Sequence, residues 1–297
     1  MPTVEQEKGS VCPDLHPPCQ RTEIRGGALT GRLTACHTVA LRNVGGVHDT
    51  YHLEEGHVDA IERVVLITGG SSGIGKATAA ALLAEGAGTA VVICGRDKER
   101  LEAAISDLNP DAEVFHAVQA DVTQTADVER LVASTLRRFG RIDVLVNSAG
   151  AGYLGAFAET SEETMDRLWN VNVKGAMRVT QAVLPDMVAR KSGSIVNLCG
   201  VLGVKTIANA ALYCATKHAL VGFGGALAAE VKRSGIRVSS LCCSGVDTPF
   251  WEGVPGKPRA EMLLQPEEVA AEIVHLLRQP AHVITNTVLL QHLSHQL

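Results

Sequence analysis

Thr68-Gly69-Gly70-Ser71-Ser72-Gly73-Ile74-Gly75 is the stretch that decides the fold. It follows Val64-Val65-Leu66-Ile67, a short apolar run of the kind that forms a strand buried on both faces. It precedes an alanine-rich, helix-prone segment at 76–85, which Gly86 is placed to stop. Glycine lets the backbone bend tightly and approach a ligand where a Cβ would collide. A helix beginning at such a bend aims unpartnered N–H groups and its positive dipole end at the turn, which makes a seat for a diphosphate. A glycine cluster by itself is commonly only a loop; the strand before it and the helix after it give this one its meaning. Its spacing is G-x-x-x-G-x-G, at Gly69, Gly73 and Gly75.

Outward from the turn, apolar runs at 90–94, 114–120, 142–146, 194–198, 236–241 and 283–290 read as strands. Helical patterns alternate with them at 98–108, 126–139, 165–190, 212–234 and 266–278. Alternation of this length predicts a Rossmann-like doubly wound parallel sheet, a three-layer α/β/α single domain over 61–297. Residues 1–60 differ in composition and include Cys12, Cys19, Cys36, His16, His37, His48, His52 and His57. Cysteine and histidine are zinc ligands, but the spacings match no zinc pattern and large apolar residues are few. A flexible N-terminal extension without a metal is expected there.

The 297 residues carry 27 Lys and Arg against 32 Asp and Glu, a net charge of -5 that gives no field for nucleic acid or an anionic membrane. No apolar run is long enough for a membrane span. The opening Met1-Pro2-Thr3-Val4-Glu5-Gln6-Glu7 is acidic where a secretory signal is basic. The eight cysteines form no CxxC pair, so reduced thiols and a cytoplasmic location are expected.

Two further features point to chemistry. At the end of the second strand, an acid would bond the ribose hydroxyls of NAD; the chain reads Cys94-Gly95-Arg96 instead. The planar fork of Arg96 suits a 2′-phosphate, which favours NADP(H) over NAD(H). The alternative leaves Arg96 in an exposed loop and gives the ribose to Asp97, but Asp97 is better placed to cap the next helix. Tyr213 and Lys217 stand four apart on a predicted helix and share a face. A free tyrosine titrates near ~10. A neighbouring ammonium lowers that value and fits the phenol for general acid–base work. Alone, a Tyr-x-x-x-Lys is commonly an exposed helix pair.

Together these residues resemble the short-chain dehydrogenase/reductase family, from about residue 61 to the end. The family's T-G-x-x-x-G-x-G falls on Thr68 to Gly75, and its N-x-A-G on Asn147-Ser148-Ala149-Gly150. Its adenine-side pair falls on Asp121-Val122, its structural asparagine on Asn172, and its Tyr-x-x-x-Lys on Tyr213 and Lys217. The resemblance implies hydride transfer between a nicotinamide and the carbonyl or alcohol carbon of a small molecule. Tyr213 would protonate the carbonyl oxygen, Lys217 would hold the nicotinamide ribose and tune Tyr213, and Asn172 would support a proton-relaying water chain. It implies cofactor contacts at Gly69, Ser71, Ser72, Gly73, Ile74, Gly75, Arg96, Asp121, Val122, Asn147, Ala149, Gly150, Tyr213, Lys217, Val246 and Thr248. It also implies a homodimer or homotetramer joined through the helices at 165–190 and 212–234, where Gly222, Gly224, Gly225 and Ala226 permit close approach or pack within the subunit.

The pattern breaks in two places. The family's catalytic serine, thirteen residues before the tyrosine, is Gly200 here. Losing one such donor typically costs on the order of 10²–10³ in rate. Cys199 should face the other side of its strand, and a thiol is a weak donor; Thr206 or a water are the other stand-ins. The family's Pro-Gly after the sixth strand is Cys243-Ser244, with Gly245-Val246-Asp247-Thr248 following in family order. These departures keep open a second reading, a nucleotide-binding pseudoenzyme acting as a sensor or partner subunit. In the expected substrate lid at 249–256, Phe250 and Trp251 either hint at an apolar substrate or pack the lid onto the body.

Overall fold

A computed structural model describes residues 61–86 and 88–294. The zinc and extension readings of the cysteines and histidines before residue 61 lie outside the described residues. The elements run β1 (Arg63–Thr68), α1 (Gly73–Ala84), β2 (Thr89–Gly95), α2 (Lys98–Leu108), β3 (Phe115–Gln119), α3 (Thr125–Phe139) and β4 (Val144–Asn147). There follow α4 (Glu162–Leu168), α5 (Ala176–Arg190), β5 (Gly193–Leu198), α6 (Ala211–Val231), β6 (Ile236–Cys243), α7 (Pro266–Arg278) and β7 (Thr287–Leu290).

All seven strands are parallel, in the order β3-β2-β1-β4-β5-β6-β7. One face of the sheet packs on α1, α2 and α7 through Leu82, Leu101 and Ile273; the other packs on α3, α5 and α6 through Leu131, Val183 and Leu227. Strands covered on both faces have no solvent side, which is why β2 is buried at every position and shows no alternation. The helices show the complementary pattern. In α3, Val128, Leu131, Val132 and Thr135 turn inward while Asp127 opens the helix and Arg137 and Arg138 close it, matching the dipole.

Several predicted boundaries shift. Helix α1 begins at Gly73 rather than 76, because the turn's own Gly-Ile-Gly forms the first helical turn despite glycine's poor propensity. The single helix expected at 165–190 is two helices joined by a π-helical turn, Trp169–Gly175. Its start is set by Ser161, whose hydroxyl accepts from the Thr164 N–H at 3.2 Å. The last strand is Thr287–Leu290, and Val283 and Ile284 before it are partly exposed.

β1 is the point of reversal. Its neighbours β2 and β4 come from opposite directions of winding, and Thr68 pairs in register with Cys94 on one side and Asn147 on the other. The Thr68 hydroxyl accepts from the N–H groups of Ser148 and Ala149, each at 3.1 Å. This bond closes the seam between the two halves at the carboxyl ends of the strands, where doubly wound sheets bind ligands. Thr68→Val keeps the shape and leaves both N–H groups without that acceptor. The expected loss is about 2 kcal/mol of stability, seen as a lower urea midpoint with an unchanged m-value.

Candidate active site

The glycine turn is built around backbone proximity. Gly69 has φ +66°, and a Cβ there would stand 2.9 Å from the Ala149 Cα. A Cβ on Gly75 would overlap the Gly69 carbonyl oxygen. Side chains at these positions would push apart the walls of the reversal point. Ser72 is the N-cap of α1, yet its hydroxyl caps nothing, and the first turn holds no acid. The amino end of a 12-residue helix therefore faces a bare bend with its N–H groups and dipole uncompensated. This fits a diphosphate. Ser71 rests against the end of β2, its Oγ 2.8 Å from where a Gly95 Cβ would be, and Ile74 packs on the core beneath.

At the end of β2, Asp97 caps α2, accepting from the Arg100 N–H at 3.0 Å, as expected. Arg96 is exposed; its carbonyl accepts from Gln119 Nε2, and its guanidinium has no bond among the described residues. The Asp121 carboxylate accepts from the Thr123 N–H at 2.8 Å, so it shapes its own turn. Val122 is buried against Gly175. The side chain of Asn147, expected at the cofactor, is turned inward: its amide donates to Thr180 Oγ1 at 3.0 Å and Asn197 Oδ1 at 2.9 Å. That amide serves the β4–β5 seam. Ala149 lies against Gly69, and Gly150 faces Asn172 and Lys217.

Three segments meet behind Gly150. A Cβ there would be 3.5 Å from Asn172 Oδ1 and 3.7 Å from Lys217 Nζ. Asn172 sits in the π-helical turn, which widens the helix so that its side chain reaches Ala151. Its Oδ1 accepts from the Ala151 N–H at 2.7 Å, and its Nδ2 donates to the Ala151 carbonyl at 2.9 Å and to Thr216 Oγ1 at 3.1 Å. Thr216 in turn donates to the Tyr213 carbonyl at 2.8 Å. Thr216 thus ties the asparagine to the Tyr213 helix, a link that its place between Tyr213 and Lys217 did not reveal in the sequence.

Tyr213 and Lys217 share a face of α6, with Lys217 Nζ 5.6 Å from the Tyr213 ring centroid. The ammonium donates to the Leu198 carbonyl at 2.9 Å. Burial lowers the Lys217 pKa, and burial raises that of Tyr213 above the ordinary tyrosine range, helped by the thiols Cys243, Cys214 and Cys199. The sequence expectation that Lys217 lowers Tyr213 is therefore corrected: desolvation of the phenolate dominates while the ammonium is engaged elsewhere. Cys94, Cys199, Cys214, Cys242 and Cys243 are all free and buried.

Gly200 stands where the serine was expected, facing Tyr213. A Cβ there would be 4.0 Å from the Tyr213 hydroxyl and 3.8 Å from the Cys243 carbonyl oxygen, with nothing closer. Its backbone has φ +68° and ψ 160°, a region essentially reserved for glycine. Cys199 faces away, as expected: it is buried with Ala176, Leu220 and Cys242. The Cys199 thiol donates to the Asn197 carbonyl at 3.5 Å; the neighbouring Cys242 holds the Cys199 pKa down, while Cys199 and burial push Cys242 up. Thr206 lies in an exposed turn and has no bond to Tyr213 among the described residues.

The segment after β6 crosses the mouth of the site. Val246 is buried and bridges to Leu264. Thr248 lies against Gly73, where a Cβ would come within 3.1 Å of the Thr248 Cβ. Phe250 lies with its ring 5.9 Å from that of Tyr213 and against Gly152, whose missing Cβ makes room for it. Trp251 backs Phe250 edge-on at 5.4 Å, its indole N–H donating to the Val246 carbonyl at 2.9 Å. Ser244 is tied to the chain end, its hydroxyl accepting from the His292 N–H at 3.1 Å.

The family described as short chain dehydrogenase matches residues 63–258. An uncharacterized oxidoreductase of Staphylococcus epidermidis is 37% identical over 227 residues, covering 76% of this chain and 96% of that protein. Among solved structures, an alcohol dehydrogenase from the archaeon Thermococcus sibiricus complexed with 5-hydroxy-NADP superposes with a TM-score of 0.70 at 29% identity, covering 79% of this chain and 98% of its own. The actinorhodin polyketide ketoreductase with NADPH gives 0.70 at 33% identity, covering 78% and 96%.

The backbone at Gly200 has a direct test. Gly200→Ser places a side chain in open space but on a strained backbone, and about 1–3 kcal/mol of stability should be lost. Chemical denaturation of the purified variant measures this; a wild-type midpoint would show that the loop adapts freely.

Proposed function

The chain belongs to the short-chain dehydrogenase family of oxidoreductases, and on that premise we propose that it interconverts a small-molecule carbonyl and its alcohol using NADP(H) in preference to NAD(H). The observation that carries this reading is the Tyr213 hydroxyl facing the open seat at Gly200, with Lys217 and Asn172 behind it and the uncapped end of α1 alongside. When bound, the dinucleotide would supply the hydride for the carbonyl carbon. The carbonyl π electrons move to oxygen, which takes the Tyr213 proton. Lys217 and Asn172 mark the inner end of the route by which that proton is replaced. The uncapped amides at the start of α1, from Gly73, would hold the diphosphate, with Ser71, Ser72 and Thr248 at its rim. Arg96, exposed at the end of β2, supplies the cation for the 2′-phosphate. The protein works in the cytoplasm as a homodimer or homotetramer. On α6 a Cβ at Gly222 or Gly225 would meet nothing within 4 Å, which leaves that face open to a partner helix, whereas Gly224 packs inward on Ser240.

Without a serine hydroxyl beside Tyr213, turnover is slow, by on the order of 10²–10³ against a site that has one. The same Gly200 supports a second reading, a nucleotide-binding pseudoenzyme acting as a sensor or partner subunit.

Calorimetric titration separates binding from chemistry. NADPH should bind more tightly than NADH, and Arg96→Gln should weaken NADPH about tenfold while leaving NADH unchanged. No heat from either nucleotide at millimolar levels sinks both readings. Tyr213→Phe should cut kcat/KM for carbonyl reduction by about 10²–10⁴ with NADPH affinity retained; a wild type that binds NADPH but reduces no carbonyl favours the second reading.

The pH dependence follows from burial. Tyr213 is held above the ordinary value near ~10, so its proton-bearing form persists through the neutral range. Reductive kcat/KM should be level from about pH 6 to about pH 9. Oxidation needs the phenolate and should keep rising through that window with no plateau. Steady-state rates in both directions measure this, and a reductive decline centred below pH 9 would contradict it.

A further inference from the structure

Tyr213 is set among apolar side chains. On one side Leu154, Val201, Leu202 and Cys214 pack with Tyr213 itself. On the other stands Phe250, held in place from two directions. Gly152 gives it room, since a Cβ there would come within 2.5 Å of the Phe250 ring, and Trp251, pinned through its indole N–H, backs it edge-on. The floor is Gly200, which adds no polar side chain.

The charges nearby are turned away from this seat. On the segment that carries Phe250, Glu252 pairs outward with Arg100 at 3.1 Å and Asp247 pairs with Lys257 at 2.8 Å. Lys217 donates to the Leu198 carbonyl behind the tyrosine. A carboxylate or phosphate drawn into this seat would lose its water, and the ammonium nearby, Lys217, is already bonded to that carbonyl, a penalty of several kcal/mol in effect. A flat apolar group would replace water against Phe250 and gain by stacking.

Resting on the carbonyl–alcohol reading above, we infer that the substrate is an uncharged ketone or secondary alcohol bearing a flat apolar substituent, and that Phe250 is the residue that selects it. The apolar arm lies on Phe250 while the oxygen meets Tyr213. The second substituent uses the space that Gly200 leaves open.

The test compares acetophenone with 4-acetylbenzoate, two ketones alike except for a carboxylate, and with butanone, which has no ring. In NADPH-dependent reduction, acetophenone should exceed 4-acetylbenzoate in kcat/KM by at least about 100-fold. Phe250→Ala should lower kcat/KM for acetophenone about five- to tenfold more than for butanone, while Phe250→Leu should fall between wild type and Phe250→Ala. Thermal melts confirm that the variants are folded. Equal or greater turnover of the carboxylate, or an equal loss for acetophenone and butanone in Phe250→Ala, overturns the inference.

If no ketone is reduced, the functional reading fails, and binding decides the inference separately. Saturation-transfer NMR with and without NADP+ should then show acetophenone, but not 4-acetylbenzoate, contacting the wild type, with the signal diminished in Phe250→Ala. Contact that ignores the carboxylate or the Phe250 ring overturns it.

Discussion

The structure turns on how closely bare backbone approaches bare backbone where β1 meets β4. At Gly69 the chain passes Ala149 with no room for a side chain, and the Thr68 hydroxyl draws the N–H groups of Ser148 and Ala149 to the same point. That contact fixes where two oppositely wound halves of the sheet separate, and the separation is the cleft. The helix that starts there has no capping side chain and no acid at its mouth, so its electrostatics are left for a ligand. Everything else in the candidate site is placed relative to this bend: Thr248 lies on Gly73, and Lys217 and Asn172 lie behind Gly150.

The sequence carried the parts of this arrangement that depend on periodicity and on glycine. Buried parallel strands read as continuous apolar runs, and the alternation with helices left little freedom in topology. The role of Asp97 as a cap was also legible, because capping needs only a carboxylate one turn ahead of its N–H. What stayed hidden depends on relations between distant segments. Nothing local in Trp169–Gly175 announces a π-helical turn; the turn exists because Asn172 bonds to Ala151, 21 positions away. Asn147 resembled a ligand contact by its place in a motif, yet Thr180 and Asn197 claim its amide. The pairing of Gly152 with Phe250 is likewise a contact across about a hundred residues, visible only once both side chains are in space.

The chemistry of Tyr213 shows why proximity of residue types is an incomplete guide. Spacing puts Lys217 on the same helical face, and that much holds. The direction of the pKa shift is decided by a different balance, in which loss of water around the phenol outweighs an ammonium whose bond is made to Leu198. A site arranged this way keeps Tyr213 protonated through the neutral range.

Gly200 carries one more implication, for which substitutions the chain tolerates. Its φ of +68° and ψ of 160° belong to a conformation that an L-residue enters only under strain. A mutation that puts serine there meets a backbone shaped for glycine, so gaining the hydroxyl carries a cost in strain that a change in the neighbouring side chains does not.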